Sequence, residues 1–497
     1  MTAVNHYDQT LKVTEEYDRV IERAQKSFDV LRKMTAPERG TIIEHFGRRL
    51  VAMKGRLGTV ITESMGKHVR ESAGEVQECI DMCRFATGLS RQLYGLTMPS
   101  ERPDHRLQET WLPLGPTAII TAFNFPMAVW AWNFCLAFVA GNSTIWKPSP
   151  HTPRCGQELK YLWDATIDEW MRDNRRGWYG QELKNAMQIW TEPDLTEHAQ
   201  AALRLARDRR IPLVSFTGST QAGKRISRIV GARLGRCILE LGGNNASIID
   251  ESANLELAVR GCVFAAIGTS GQRCTTLRRL FVHHKIFNEV VNKLRDVYQN
   301  LTIGNPMDDN VVVGPLLNQA SADLMEKAVY AAQVSGCELV AGGGYAEPAW
   351  SSTHQYHGPL MRPALLTSMQ HRPCMNEEVF APILYVVPYG PFEEAIELVN
   401  ATNYGLSSSL YSTNMHAIEN FLRESYNGIV NINTSTSGAE IGLAFGGVKD
   451  TGWGVESGSD AWKQYCRRVS SAINHGITLP LSQGLNFSAK PKIQGSK

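Results

Sequence analysis

The sequence predicts an α/β protein built on two open parallel sheets covered by helices, with a small β arm. From Gly115 onward, strand-like runs (TAIITAF, NSTIWK, IPLVSFTG, CILELGG) alternate with helical ones, and a second block from about Asn245 repeats that style. Polar strand-like residues stand apart from both blocks, near residue 110 and after Ser470. Alternation of this kind is what parallel strands joined by crossover helices write into a chain.

Residues 1–90 carry helical periodicity with mixed charge, as in VTEEYDRVIERAQKSFDVLRKM and around GEVQECIDMCRFATGL. Residues 106–112 alternate as a polar strand. This strand and the one after Ser470 can pair with each other, pair with a partner subunit, or stand as ordinary sheet edges. The nearly uncharged stretch 115–141 is membrane-like, but Asn124, Pro126 and Asn133 interrupt it. Residues 114–123 read as a buried strand and 127–140 as a buried helix of about 14 residues, short of the roughly 20 that a span needs. The second block reads as SIIDES, a helix through LAVRGCVFAAIG, RRLFVHH, a helix through NEVVNKLRDVYQNL, then PALLTS and PILYVVPYG. The tail SAKPKIQGSK reads as a frayed end.

A chain of 497 residues, 43% hydrophobic and 20% charged, has room for two large domains with the composition of an ordinary globular enzyme. Its 51 basic and 49 acidic side chains are spread along the chain, for a net charge of +2. That argues against nucleic acid or an anionic membrane as partner. Ten cysteines without a disulfide-framework spacing or paired zinc knuckles point to reduced thiols and a cytoplasmic protein with no metal site. The start, MTAVNHYDQTLKVTEEYDRV, lacks the apolar segment of a signal peptide and is too acidic for a transit peptide.

The residues with chemistry to offer cluster around GTSGQRCTT and LELGGNN. A lone cysteine is usually a small buried hydrophobe, but Cys274 follows a Gly/Ser/Thr-rich turn and sits beside Arg273, a cation expected to favour the thiolate. Thiolate attack on an aldehyde gives a tetrahedral adduct whose hydride leaves only if the oxyanion is held. Glu240 ends the apolar run CILEL. It is either a surface-satisfied carboxylate or, at the C-terminal end of a buried strand, a general base whose pKa burial raises. Asn124, in AFNFP, is either a turn residue or a neutral oxyanion donor. In SFTGSTQAGKRISRIV a strand runs through Gly218, Ser219 and Thr220 into a helix whose N-terminus either receives a phosphate or is merely capped. No G-x-G-x-x-G fingerprint stands at a strand-to-helix turn. Lys147, at the end of IWK, reads as a ribose ligand or a snorkelling lysine.

Together these pieces resemble the aldehyde dehydrogenase superfamily over essentially the whole chain. The matches are FNFP at 123–126, WKPS at 146–149, FTGST at 216–220, LELGG at 239–243, GQRC at 271–274, EEVFAP at 377–382 and AFGGVKDTG at 444–452. The resemblance implies that Cys274 attacks, that its own N–H and the Asn124 amide hold the oxyanion, and that Glu240 activates the deacylating water. Lys147, Gly218, Ser219, Thr220, Leu241, Glu378 and Phe380 would hold the dinucleotide, NAD rather than NADP. It also implies two Rossmann-like domains, a dinucleotide-binding one from 1–92 and 114–243 and a catalytic one from 244–450. Residues 93–113 and 465–497 would form an arm that assembles a homo-oligomer.

A closer resemblance is to the antiquitin-like branch, the α-aminoadipic semialdehyde dehydrogenases, through GEVQE at 74–78, LELGGNNA, GQRCTTLRRLFVH, TSGAEIG at 436–442 and ESGSDAWKQY at 456–465. It implies NAD-dependent oxidation of L-2-aminoadipate 6-semialdehyde. Arg273 and the backbone of Ser437, Gly438 and Ala439 would take the α-carboxylate, and Glu78 the ammonium. Read without the resemblance, Glu78 is a helix-surface charge and Arg273 a structural ion pair. Rival readings are an enzyme for another ω-aldehyde and a non-catalytic protein of the same fold. The chain departs from the family at Pro150, where a glutamate is usual, at NAMQIWTEPD, at Val455, and at Thr434 and Ser435 before TSGAE.

Overall fold

The computed structural model describes residues 2–174, 179–191, 198–346 and 358–481. It is an α/β fold with three principal sheets. One is five-stranded and wholly parallel, ordered Met187–Ile189, Thr144–Lys147, Thr117–Ile120, Leu213–Thr217, Arg236–Glu240. The edge strand Met187–Ile189 is what NAMQIWTEPD becomes; its last residues and the SAKPKIQGSK tail lie outside the described residues. The second sheet has seven strands, ordered Glu338–Ala341, Ala364–Thr367, Ile383–Tyr389, Leu277–His283, Asn245–Ile249, Ser407–Tyr411, Ile429–Ile432. Only the first of these runs antiparallel to its neighbour.

The polar strand His105–Pro113 pairs antiparallel with Leu96–Pro99 on one side and with Cys466–Asn474 on the other. The two polar strands seen in the sequence therefore pair with each other within one chain.

The apolar stretch divides as its periods indicate, into the strand Thr117–Ile120 and the helix Ala128–Ala140. Every residue of that helix except half-buried Val129 is buried, because the helix lies between the five-stranded sheet and the helical layer formed by the N-terminal third of the chain. Trp130 stacks between Phe134 at 4.6 Å and Trp146 at 4.9 Å, pairs worth about 0.5–1.5 kcal/mol each beyond the area they bury. Asn133, which looks like an interruption in the sequence, is wholly buried and bonded: its amide donates to Glu456, and the Tyr465 hydroxyl donates to its oxygen. No helix among the described residues is long and apolar enough to cross a membrane.

Two long helices complete this layer. Ala36–Met65 begins with a capping box, Thr35 accepting from the Glu38 N–H while the Glu38 carboxylate accepts from the Thr35 N–H. It ends at Gly66, where φ of 79° permits the left-handed turn into Lys67 and His68. His68 then caps Val69–Leu89 by accepting from the Arg70 N–H.

Candidate active site

Cys274 is half-buried on the loop between the helix Leu255–Ile267 and the strand Leu277–His283. Asn245 pins that loop, its amide donating to the carbonyls of Cys274 at 2.7 Å and Thr276 at 2.8 Å. The neighbouring LELGG turn must pass close by. A Cβ on Gly243 would lie 2.3 Å from the Cys274 carbonyl oxygen, and one on Gly242 would lie 2.3 Å from Glu378 Oε2. Both glycines are therefore there for close approach.

Adjacency in the sequence predicts that Arg273 lowers the Cys274 pKa, and the structure corrects this. Burial pushes the thiol up to about 12, with the Glu240 and Glu378 carboxylates adding to the rise. Arg273 does not offset this rise, its guanidinium being engaged with Glu71 at 3.2 Å and the Thr269 hydroxyl at 2.9 Å.

Glu240 ends its strand with a side chain only 4% exposed, and neither carboxylate oxygen has a hydrogen-bond partner among the described residues. A carboxylate left dry holds its proton more tightly, and Glu240 is raised well above the usual range by burial and by the neighbouring Glu456. Glu456 is buried too. Its Oε1 accepts from Asn133 and Ser215, each at 2.8 Å, and burial raises it to about 7. Sequence reasoning misses Glu456 as a site residue, although ESGSD stands out as a motif.

Two cavities meet at the Phe123–Asn124–Phe125 segment. Phe125 lines one of about 410 Å³ together with Glu71, Glu75, Glu78, Arg273, Cys274, Gly438, Ala439 and Glu456. Aromatic walls from Trp132, Phe264 and Phe445 close it. Phe123 lines the other, about 890 Å³, with Lys147, Pro150, Gly218 and Ser219. Asn124, 6% exposed, stands in sequence between a residue of each cavity but is in the lining of neither, and its amide makes no hydrogen bond to the described residues.

Of the other residues singled out in the sequence, Ser219 is the N-cap of Thr220–Ala232, accepting from the Ala222 N–H. The Thr220 hydroxyl accepts from the Gly242 N–H, and Leu241 is buried against that helix at Gly223. Lys147 is buried rather than snorkelling; desolvation lowers it to about 8, and no ion-pair partner stands by among the described residues. A buried cation with no partner fits a missing anionic or hydroxyl-bearing ligand. Glu378 accepts from the Gly243 N–H at 3.1 Å and from Arg278 at 3.3 Å, while Phe380 packs edge-on against Phe123 at 6.0 Å.

Glu78 is half-buried and raised to about 7 by burial and by Glu75. Ser437 lies beside the Cys274 cavity rather than in its wall, its hydroxyl donating to the Thr275 carbonyl and its N–H to Ser435 Oγ. The departure at Ser435 thus braces the loop that presents Gly438 and Ala439.

Arg278, which nothing in the sequence distinguishes from its neighbours, is 3% exposed and ties the site together. It donates to the carbonyls of Gly243, Arg273, Val379 and Ala381 as well as to Glu378.

Residues 7–470 match the aldehyde dehydrogenase family. The chain is 42% identical to the α-aminoadipic semialdehyde dehydrogenase of Mus musculus over 475 residues, 95% of this chain and 84% of that one. Among solved structures, a putative aldehyde dehydrogenase from Burkholderia cenocepacia superposes with a TM-score of 0.85 at 27% identity, covering 94% of this chain and 91% of its own. 3,6-anhydro-L-galactose dehydrogenase in complex with NAP does so with a TM-score of 0.83 at 28% identity, covering 92% and 91%. The chain is therefore an enzyme, an oxidoreductase acting on aldehydes with NAD(P), and it belongs to the aldehyde dehydrogenase family.

Proposed function

We propose that this enzyme oxidises L-2-aminoadipate 6-semialdehyde to L-2-aminoadipate, using NAD+, as a step of lysine breakdown. The observation that supports the substrate assignment is the 410 Å³ cavity, which Cys274, Glu78 and Arg273 all line. An aldehyde that also bears an ammonium and a carboxylate needs those three groups together. The name of the mouse relative points the same way.

In this reading the Cys274 thiolate attacks the aldehyde carbon, and the oxyanion that forms is held by the Cys274 N–H and the Asn124 amide. An oxidised nicotinamide supplies, when bound, the acceptor for the hydride that leaves as the thioester forms. Glu240 then takes a proton from water as its oxygen attacks the thioester carbon, and the acid departs as the thiolate is restored. Lys147, Gly218, Ser219, Thr220 and Leu241 serve the adenosine and phosphate side of the dinucleotide; Glu378 and Phe380 serve the nicotinamide side. Glu78 takes the substrate ammonium, and Arg273 with the backbone at Ser437, Gly438 and Ala439 takes its carboxylate.

We further assign the dinucleotide to a domain of residues 1–92 and 114–243, catalysis to 244–450, and homo-oligomer assembly to the arm of 93–113 and 465–497. All ten cysteines are free thiols, which supports a cytoplasmic setting. One observation favours a second reading, oxidation of a neutral ω-aldehyde: Arg273 is already paired with Glu71. An aldehyde panel assayed with NAD+ and NADP+ separates the two. The semialdehyde with NAD+ should show the highest kcat/KM. An equal or higher value for a plain aliphatic aldehyde would overturn the substrate assignment.

A further inference from the structure

Glu71, Glu75 and Glu78 stand at i, i+4 and i+7 of the helix Val69–Leu89, so they share one face, and all three line the Cys274 cavity. Glu71 and Glu75 are nevertheless spent on protein groups. Glu71 accepts from the Thr269 N–H with both oxygens, at 3.0 and 3.1 Å, and from the Thr269 hydroxyl at 2.8 Å. Thr269 and Ser270 have φ of 50° and 54°, a left-handed turn that side chains with a Cβ adopt only when held. This is the turn that leads to the nucleophile.

Glu75 does the corresponding work on the opposite side. Its side chain is fully buried, and Oε1 accepts from the N–H groups of Met127 at 2.7 Å and Ala128 at 3.1 Å. These open the helix Ala128–Ala140, whose N-cap residue, Met127, makes no side-chain cap. A carboxylate there satisfies free donors and meets the positive end of the helix dipole. The other oxygen binds Lys67 Nζ at 2.5 Å, and the same ammonium stands 3.7 Å from the centre of the Phe125 ring. The pair thus grips the chain on both sides of Pro126, immediately after Asn124.

We propose that Glu75, working with Lys67, is a positioning residue for Asn124, so that the helix that clamps the Cys274 turn also fixes the oxyanion donor relative to the sulfur. This inference rests on the proposed function, in which Asn124 holds the oxyanion.

The test is a double-mutant cycle in the full-length enzyme, comparing Glu75→Gln, Asn124→Ala and the double variant. The readouts are the single-turnover rate of NADH formation, the aldehyde KM, the NAD+ Kd and the thermal midpoint. Asn124→Ala should slow acylation by about a hundredfold, as loss of an oxyanion donor does. Glu75→Gln should slow it by up to about a hundredfold, the scale of a displaced catalytic group, with KM and NAD+ Kd close to the parent's. The double variant should be no slower than Asn124→Ala alone. Losses that multiply in the double variant, or parental acylation in Glu75→Gln, would overturn the proposal while leaving the role of Asn124 intact. Parental acylation in Asn124→Ala would overturn both. If Glu75→Gln fails to fold, the same cycle with Lys67→Met decides the matter on the same terms.

Discussion

Arg278 reaches Glu378 at 3.3 Å with the guanidinium nitrogen that also donates to the Arg273 carbonyl. One buried cation therefore couples Glu378, proposed to serve the nicotinamide side of the dinucleotide, to the backbone next to the nucleophile. Removing one partner of such a pair leaves the other charge dry, at a cost of roughly 3–5 kcal/mol. Arg278→Met should lower the thermal midpoint, weaken NAD+ binding by about tenfold or more, and depress kcat. Fluorescence titration with NADH and a melting curve would check this, and an unchanged cofactor affinity would show that Glu378 is held in place without Arg278.

The pH dependence of turnover follows from Glu240. Its folded pKa is raised by burial and by Glu456, and only the ionised form can take a proton from water, so kcat should climb with pH above the ordinary carboxylate range. Glu456→Gln removes a like charge. The Glu240 pKa then falls and the rising limb of the kcat profile moves toward acid. A limb that stays in place, or moves toward alkali, would show that the two carboxylates do not interact in the working enzyme.

Glu78 titrates at about 7, so its carboxylate is ionised above neutrality and protonated below. Affinity for the semialdehyde should therefore improve as pH rises through 7, and Glu78→Gln should raise KM by about tenfold and abolish that dependence. An aldehyde without an ammonium group should be indifferent to the substitution. Equal losses for both substrates would place Glu78 outside the ammonium site.

The thiol of the free enzyme should be sluggish. With Cys274 pushed up to about 12 by burial and two carboxylates, alkylation by iodoacetamide at pH 7.5 should be slower than for an exposed thiol, whose pKa is about 8.5. A bound nicotinamide cation would offset those carboxylates, so saturating NAD+ should accelerate the reaction. Fast labelling of the free enzyme, followed by peptide mapping to Cys274, would contradict these electrostatics.

What can be read in the sequence is whatever a short run of residues encodes. The strand ending at Glu240, the Gly-Ser-Thr turn into Thr220–Ala232 and the buried helix Ala128–Ala140 each follow from period and punctuation within a dozen or so positions. The charges that organise the site do not show in this way. Glu75 and Glu71 look like any surface glutamates of an amphipathic helix; the burial of the one and the hydrogen bonds of both depend on loops near 127 and 269 that only the folded chain brings close. Asn133 and Glu456 meet across 323 positions. Arg273 misleads for the same reason. Adjacency to Cys274 in sequence suggests an electrostatic partner, whereas the side chain points to Glu71 on the helix Val69–Leu89.

The most direct test of the central claim is rapid mixing of Glu240→Gln enzyme with NAD+ and the semialdehyde, followed by intact-mass and peptide analysis. If the Cys274 sulfur is the attacking atom and Glu240 serves only the water step, one equivalent of NADH per site should appear in a burst. Turnover should then nearly stop, with an acyl group mapped to Cys274. Steady turnover without a burst, or an adduct on any other residue, would contradict it.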